Sequence, residues 1–202
     1  MLVIIDYGVG NVRSVTNAFR HIGADITVSC DLKVIQKAKG LILPGVGASG
    51  YAMQKVAPLA KLICQEARAG KPLLGICLGY QILFDESHEM GTYKCLGLIG
   101  GKVIPIPPGR TIPHMGWNFV EPAGGMRLFA GMEKGKHFAF ANSFYAEVQD
   151  ADAKVATTEY EGVTLTAAVE KGNIFGTQFH PEKSGNDGLN LLRNFVRICG
   201  VS

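Results

Sequence analysis

Lys71-Pro72-Leu73-Leu74-Gly75-Ile76-Cys77-Leu78-Gly79-Tyr80-Gln81 is the stretch around which the remaining chain can be arranged. Leu73, Leu74 and Ile76 make a short apolar run of the kind that forms a strand buried on both faces. The run stops at a Cys set between two glycines, ahead of a helix-like segment over residues 80–86. A strand that turns sharply into a helix at a Cys has the form of a nucleophile elbow, and Gly75 and Gly79, lacking Cβ, let neighbouring chain pass close by. That placement puts the thiol at a helix N-terminus, where exposed N–H groups and the dipole favour thiolate. The same spacing also fits a small buried Cys at a strand end, so the elbow alone leaves chemistry and packing both open.

Upstream, the pattern is strand, helix, strand, helix. Leu2-Val3-Ile4-Ile5 reads as a buried strand, followed by a turn in which Gly8 and Gly10 supply only two of the three glycines of a dinucleotide loop. Val15, Ala18, Phe19 and Ile22 keep helical spacing between an Asn11 cap and a Gly23 stop. A second strand follows at 26–28, a short helix capped by Asp31 runs to Ala38, and Leu41-Ile42-Leu43 is a third strand. This alternation implies parallel pairing. The third strand enters Pro44-Gly45-Val46-Gly47-Ala48-Ser49-Gly50, a glycine-rich loop that can turn N–H groups toward an anion or a developing oxyanion, or can be an ordinary tight turn. A helix with Pro58 near its start leads from there to the Cys77 strand.

Downstream, Pro105, Pro107, Pro108 and Pro113 break up the segment before His114. Short β-like runs follow at 118–120, 137–140, 144–148, 155–158, 165–169 and 174–179, and a last helix after Gly188. The expected fold is α/β: an open, mostly parallel sheet flanked by helices, with a mixed or antiparallel extension, in one domain over 1–202 because no polar linker intervenes. The Phe179-His180-Pro181-Glu182 segment follows the last strand, and in extended chain His180 and Glu182 share a side. A thiol, an imidazole and a carboxylate that orients the imidazole are the parts of an activated cysteine nucleophile. Natural oxyanion donors are the N–H of Leu78, next after the nucleophile, and an N–H from Val46 or Gly47.

Gly75-Ile76-Cys77-Leu78-Gly79-Tyr80-Gln81, Pro44-Gly45-Val46-Gly47 and His180-Pro181-Glu182 together resemble the class I glutamine amidotransferases over nearly the whole chain. Within that group, Pro113-His114-Met115-Gly116-Trp117-Asn118 is similar to a run carried by glutaminase subunits that serve imidazole glycerol phosphate synthases. The resemblance implies hydrolysis of L-glutamine to glutamate and ammonia with Cys77 as nucleophile, His180 as proton shuttle and Glu182 as its orienting acid. It further implies that Gly47, Gln81 and Ser143 hold the substrate. The ammonia would go to a (β/α)8-barrel cyclase in histidine biosynthesis, docked as a heterodimer through a face that includes His114, Met115 and Trp117. Where the family often has Phe-Val-His-Ser/Thr-Tyr, this chain has Phe140-Ala141-Asn142-Ser143-Phe144, without the imidazole and the phenol hydroxyl. Two alternatives stay open: a related glutaminase or γ-glutamyl hydrolase of another pathway, and a non-catalytic flavodoxin-like binding subunit.

Composition narrows the classes further. A net charge of +3, scattered and without a basic cluster among aromatics, argues against nucleic acid. No apolar run approaches the length of a membrane span, and residues 2–5 are too short for a signal-peptide core before Asp6 ends them. The five cysteines, Cys30, Cys64, Cys77, Cys95 and Cys199, are odd in number and unpaired in spacing, which suits a reducing cytoplasm. No Cys or His pair has metal-ligand spacing, and neither metal nor organic cofactor is expected.

Overall fold

The computed structural model describes residues 1–201. In chain order it contains β1 (Leu2–Ile5), α1 (Val12–His21), β2 (Ile26–Ser29), α2 (Leu32–Lys37), β3 (Leu41–Leu43), α3 (Ser49–Arg68), β4 (Leu73–Ile76), α4 (Leu78–Gln81), β5 (Glu86–Ser87), β6 (Tyr93–Lys94), β7 (Gly101–Pro105), β8 (His114–Pro122), β9 (Lys136–Asn142), β10 (Phe144–Val148), β11 (Lys154–Tyr160), β12 (Val163–Lys171), β13 (Ile174–Thr177) and α5 (Gly185–Ile198). Nine strands form one sheet in the order β2-β1-β3-β4-β13-β12-β11-β8-β9. The first five are mutually parallel, as the strand-helix alternation implies, and from β12 onward the pairing is antiparallel.

The central strands are apolar throughout because both faces of the sheet are covered. Leu2, Ile4, Leu74 and Ile76 point into a core closed by Phe19 of α1 and by Leu191, Leu192 and Phe195 of α5. Val3, Ile5, Leu41 and Leu73 point the other way, into a core shared with Val56, Leu59 and Ile63 of α3. This is the period-two alternation of a strand read on both sides. Among the described residues, no helix is long and apolar enough to cross a membrane.

Several expectations about the fold change. The helix before β4 starts at Ser49, not near Pro58, so Ser49 and Gly50 belong to α3 and the glycine loop is shorter than its sequence suggests. Pro58 sits in mid-helix; it withholds one N–H from the Gln54 carbonyl, on a face where both residues are exposed and water can take that carbonyl. The helix after Cys77 is a single turn, Leu78–Gln81, rather than running to residue 86. Its continuation is lost because the Ile82, Leu83 and Phe84 carbonyls accept from Leu96, Ile99 and Gly97 of the following loop.

The largest difference lies in the proline-punctuated region. It folds into a second sheet of order β10-β7-β5-β6, so β10 does not extend the main sheet. Pro105 is tolerated at the very end of β7, opposite Phe144.

Candidate active site

The chain leaves β4 at Ile76 and Cys77 takes φ 54°, ψ −110°, a conformation rare for a residue with a Cβ. It is held there from both sides. Its N–H donates to the Thr177 carbonyl at 2.7 Å, carrying the β4–β13 pairing one residue further. Its carbonyl accepts from the N–H groups of Tyr80 and Gln81, each at 3.0 Å. Strain of this kind, of order 1–3 kcal/mol, persists only where the surroundings over-determine it.

Three glycines make the packing possible. A Cβ on Gly79 would land on the Leu43 carbonyl oxygen, one on Gly75 would come within 2.6 Å of the Gly79 carbonyl oxygen, and one on Gly45 would meet the Gly79 nitrogen at 2.7 Å. The loop after β3 and the elbow therefore lie backbone against backbone. Tyr7 fixes that loop from the far side, its buried phenol donating to the Pro44 carbonyl at 2.5 Å.

His180 follows β13 and is 4% exposed. Its N–H donates to the Ala139 carbonyl at 2.9 Å, and its own carbonyl accepts from Ser184 Oγ at 2.6 Å. The residues after it form a 3-10 turn, Pro181–Lys183, in place of the extended chain that the sequence suggests. The turn still brings Glu182 Oε1 to 2.8 Å from His180 Nδ1, leaving the other ring nitrogen for the Cys77 sulfur. Burial of the ring works against its charge. The hydrogen bonds and negative charges of Cys77 and Glu182 outweigh that penalty and lift the His180 pKa to about 9.

Cys77, His180, Val46, Gly47, Leu78, Gln81 and Ser143 all line one cavity of about 420 Å³. Leu78 is the first residue of α4, so its N–H has no acceptor within the helix. Gly47 has φ +105°, the kind of backbone that only glycine adopts freely. A single-turn helix has little macrodipole, so the polarisation of the thiol rests on His180 more than on α4.

A family model for class-I glutamine amidotransferases matches residues 3–199. The chain belongs to this family. It is 52% identical over 198 residues to the "Imidazole glycerol phosphate synthase subunit HisH" of Methanothermobacter thermautotrophicus, covering 98% of each chain. It is 43% identical over 197 residues to the protein of the same name from Pyrococcus furiosus, again covering 98% of both. Among solved structures, one described as a glutamine amidotransferase superposes with a TM-score of 0.77 at 20% identity, over 98% of this chain and 99% of the other. The structure of PurLQS from Thermotoga maritima gives 0.72 at 23% identity, over 98% and 97%. These two likenesses show the shared fold.

In this amidotransferase one expected surface residue points the wrong way for that role. His114 is 2% exposed and stacks between Phe140 and Tyr160, with ring centroids 4.5 and 3.9 Å away. Alternation along β8 explains it: His114 and Val120 face inward while Met115, Trp117 and Phe119, 70%, 59% and 40% exposed, face out.

Burial pushes the His114 pKa down to about 4, with the Glu161 carboxylate pulling the other way. The unfolded chain takes up this proton near 6.5. Between those values the unfolded state binds more protons, so the stability His114 contributes is present above about pH 6.5 and is lost as the pH falls toward 4. A magnetic-resonance titration should therefore find the His114 ring neutral and unchanged from pH 8 to 5. A midpoint near 6.5 would mean that the ring reaches water.

Two residues of the amidotransferase site carry no motif that marks them in sequence. Glu89 lines the cavity, its carboxylate accepting from Ser49 N–H at 2.6 Å and Ser49 Oγ at 3.0 Å at the start of α3. Gln178 is buried behind Cys77, two positions before His180, where a same-side spacing is the only signal in the sequence. Asn142, at the position where the family pattern has His, lines the cavity and donates through Nδ2 to the Phe144 carbonyl at 3.0 Å.

Proposed function

We propose that this glutamine amidotransferase hydrolyses L-glutamine through a γ-glutamyl thioester on Cys77 and hands the ammonia to a separate barrel-shaped cyclase. The observation that carries the reading is the buried pair His180 Nδ1 and Glu182 Oε1, 2.8 Å apart, beside a cysteine held in a strained elbow on the wall of a substrate-sized cavity. The sulfur attacks the side-chain carbonyl carbon, and the oxyanion is met by the Leu78 N–H and an N–H of the Val46–Gly47 peptides. With a pKa near 9, His180 carries the proton that the amide nitrogen needs in order to leave as ammonia. The neutral imidazole then takes a proton from water, which attacks the thioester and releases glutamate. Glu182 keeps the ring in orientation and stabilises its charge. Glu89 presents a carboxylate suited to the α-ammonium of glutamine, and Ser143 and Gln81 present hydrogen-bonding groups beside it.

A separate acceptor is supported by the relatives' name, which describes a subunit of a synthase. It is supported too by the outward stripe of Met115, Trp117 and Phe119, residue types that form the apolar centre of an interface. The test is the glutaminase rate of the chain alone, with a cyclase subunit, and with that subunit holding its nucleotide-like substrate. The rate should rise at least about tenfold in the third case, a barrier lowered by roughly 1.4 kcal/mol. Equal rates in all three, with no complex on a sizing column, would leave a free-standing hydrolase.

A further inference from the structure

Behind the sulfur lies a polar side chain that the reaction above does not use. Gln178 is 1% exposed, its N–H donates to the Ala167 carbonyl at 2.8 Å, and its Nε2 lies 3.9 Å from Cys77 Sγ. Its Oε1 accepts from Gln81 Nε2 at 3.0 Å, and the same Gln81 nitrogen reaches the Phe144 carbonyl at 3.4 Å. The direction of both amides is set from one end. A main-chain carbonyl only accepts, so the NH2 end of Gln81 faces Phe144; Gln178 must then offer its oxygen to Gln81, which leaves its NH2 for the sulfur. Turning both amides over would set the Gln81 oxygen against the Phe144 carbonyl oxygen.

We propose that Gln178 is a positioning residue for Cys77, its side-chain N–H holding the sulfur toward the cavity and favouring thiolate, with Gln81 fixing the direction of the amide. The proposal rests on Cys77 being the nucleophile. Gln178 is almost fully buried, so the hydrogen bond it gives is not diluted by competing water, and an N–H to a charged acceptor is stronger than one to a neutral thiol. The arrangement also divides the work of Gln81: its NH2 is committed to Phe144 and Gln178, and its Oε1 is the end left for the substrate. The other charged or titratable groups around the sulfur are His180, Tyr7 across the elbow, and Glu89 and Lys183 along the cavity. All of these are untouched by a change at position 178.

The experiment is the pH dependence of Cys77 alkylation by iodoacetamide in the full chain, for wild type, Gln178→Leu and Gln178→Met. Both variants should move the midpoint up by about one pH unit, roughly tenfold less thiolate below it. Both should also lower kcat for glutamine about tenfold while KM stays within about twofold. An unchanged midpoint, or wild-type kcat in Gln178→Met, overturns the proposal. Should the variants not fold, the wild type still decides: in a magnetic-resonance titration, the Gln178 side-chain NH2 signals must shift with the titration of Cys77, and flat signals overturn it. Alkylation needs no glutamine, so a chain that shows the midpoint shift but does not hydrolyse glutamine would refute the proposed function and leave the role of Gln178 standing.

Discussion

Replacing Cys77 by alanine is expected to lower kcat for glutamine hydrolysis about ten-thousandfold or more, to the background rate, with the fold intact. Without the sulfur there is no thioester, and His180 and Glu182 have no nucleophile to serve; groups that act as one unit lose nearly everything when the nucleophile goes. Glu182→Gln should cost less, between roughly a hundredfold and ten-thousandfold, because the amide keeps the shape around the His180 ring but not the charge that stabilises it. In the wild type, kcat/KM should decline as the pH rises past about 9, where His180 loses the proton it gives to the leaving nitrogen. Steady-state kinetics of the three proteins across pH checks all of this. Appreciable turnover in Cys77→Ala would move the nucleophile elsewhere.

Gly79→Ala is expected to be the most damaging single methyl group in the chain. Its Cβ would coincide with the Leu43 carbonyl oxygen, a main-chain atom that cannot swing aside as a side chain can. Relief requires parting β3 from the elbow, where Leu43 pairs with Gly75 in the middle of the sheet. Overpacking of a well-filled site costs typically 1–3 kcal/mol, and a clash against backbone belongs at the upper end, so a loss of about 3 kcal/mol or more is expected. Chemical denaturation of the variant measures it, and a loss under about 1 kcal/mol would show that the loop after β3 gives way easily. Gly124 is the control, because a Cβ there meets nothing within 4 Å and its backbone does not lie in the left-handed region.

The parts of the fold that are legible in the sequence are those whose signal is local. The apolar runs of β1, β3 and β4 and the glycines that flank Cys77 declare a parallel sheet with a sharp turn at its edge, and these features hold in the structure. His180 and Glu182 announce themselves by being two apart, although they meet through a 3-10 turn. The second sheet is hidden because two of its strands are two residues long and β7 ends in a proline, its partner β10 lying some forty residues on. Which side of β8 faces the core depends on pairing with β9, so His114 and Met115 look alike until the register is known. Glu89 reaches the site by meeting Ser49 at the start of α3, and Gln178 by meeting Gln81 across most of the chain, and apart from the two-residue spacing of Gln178 and His180 no window of sequence contains that information.

The elbow strand β4 lies between β3, which precedes it by about thirty residues, and β13, which follows it by about a hundred. On the ribosome, then, Cys77 is made early: its flank is an open sheet edge until Ile174–Thr177 arrive, and His180 and Glu182 emerge only after them. Such distant pairing is slow to form and leaves a strand edge exposed while it waits. The same order is a safeguard. A nascent or prematurely ended chain holds Cys77 without His180 and Glu182, so the proposed chemistry has no means to start before the sheet has closed.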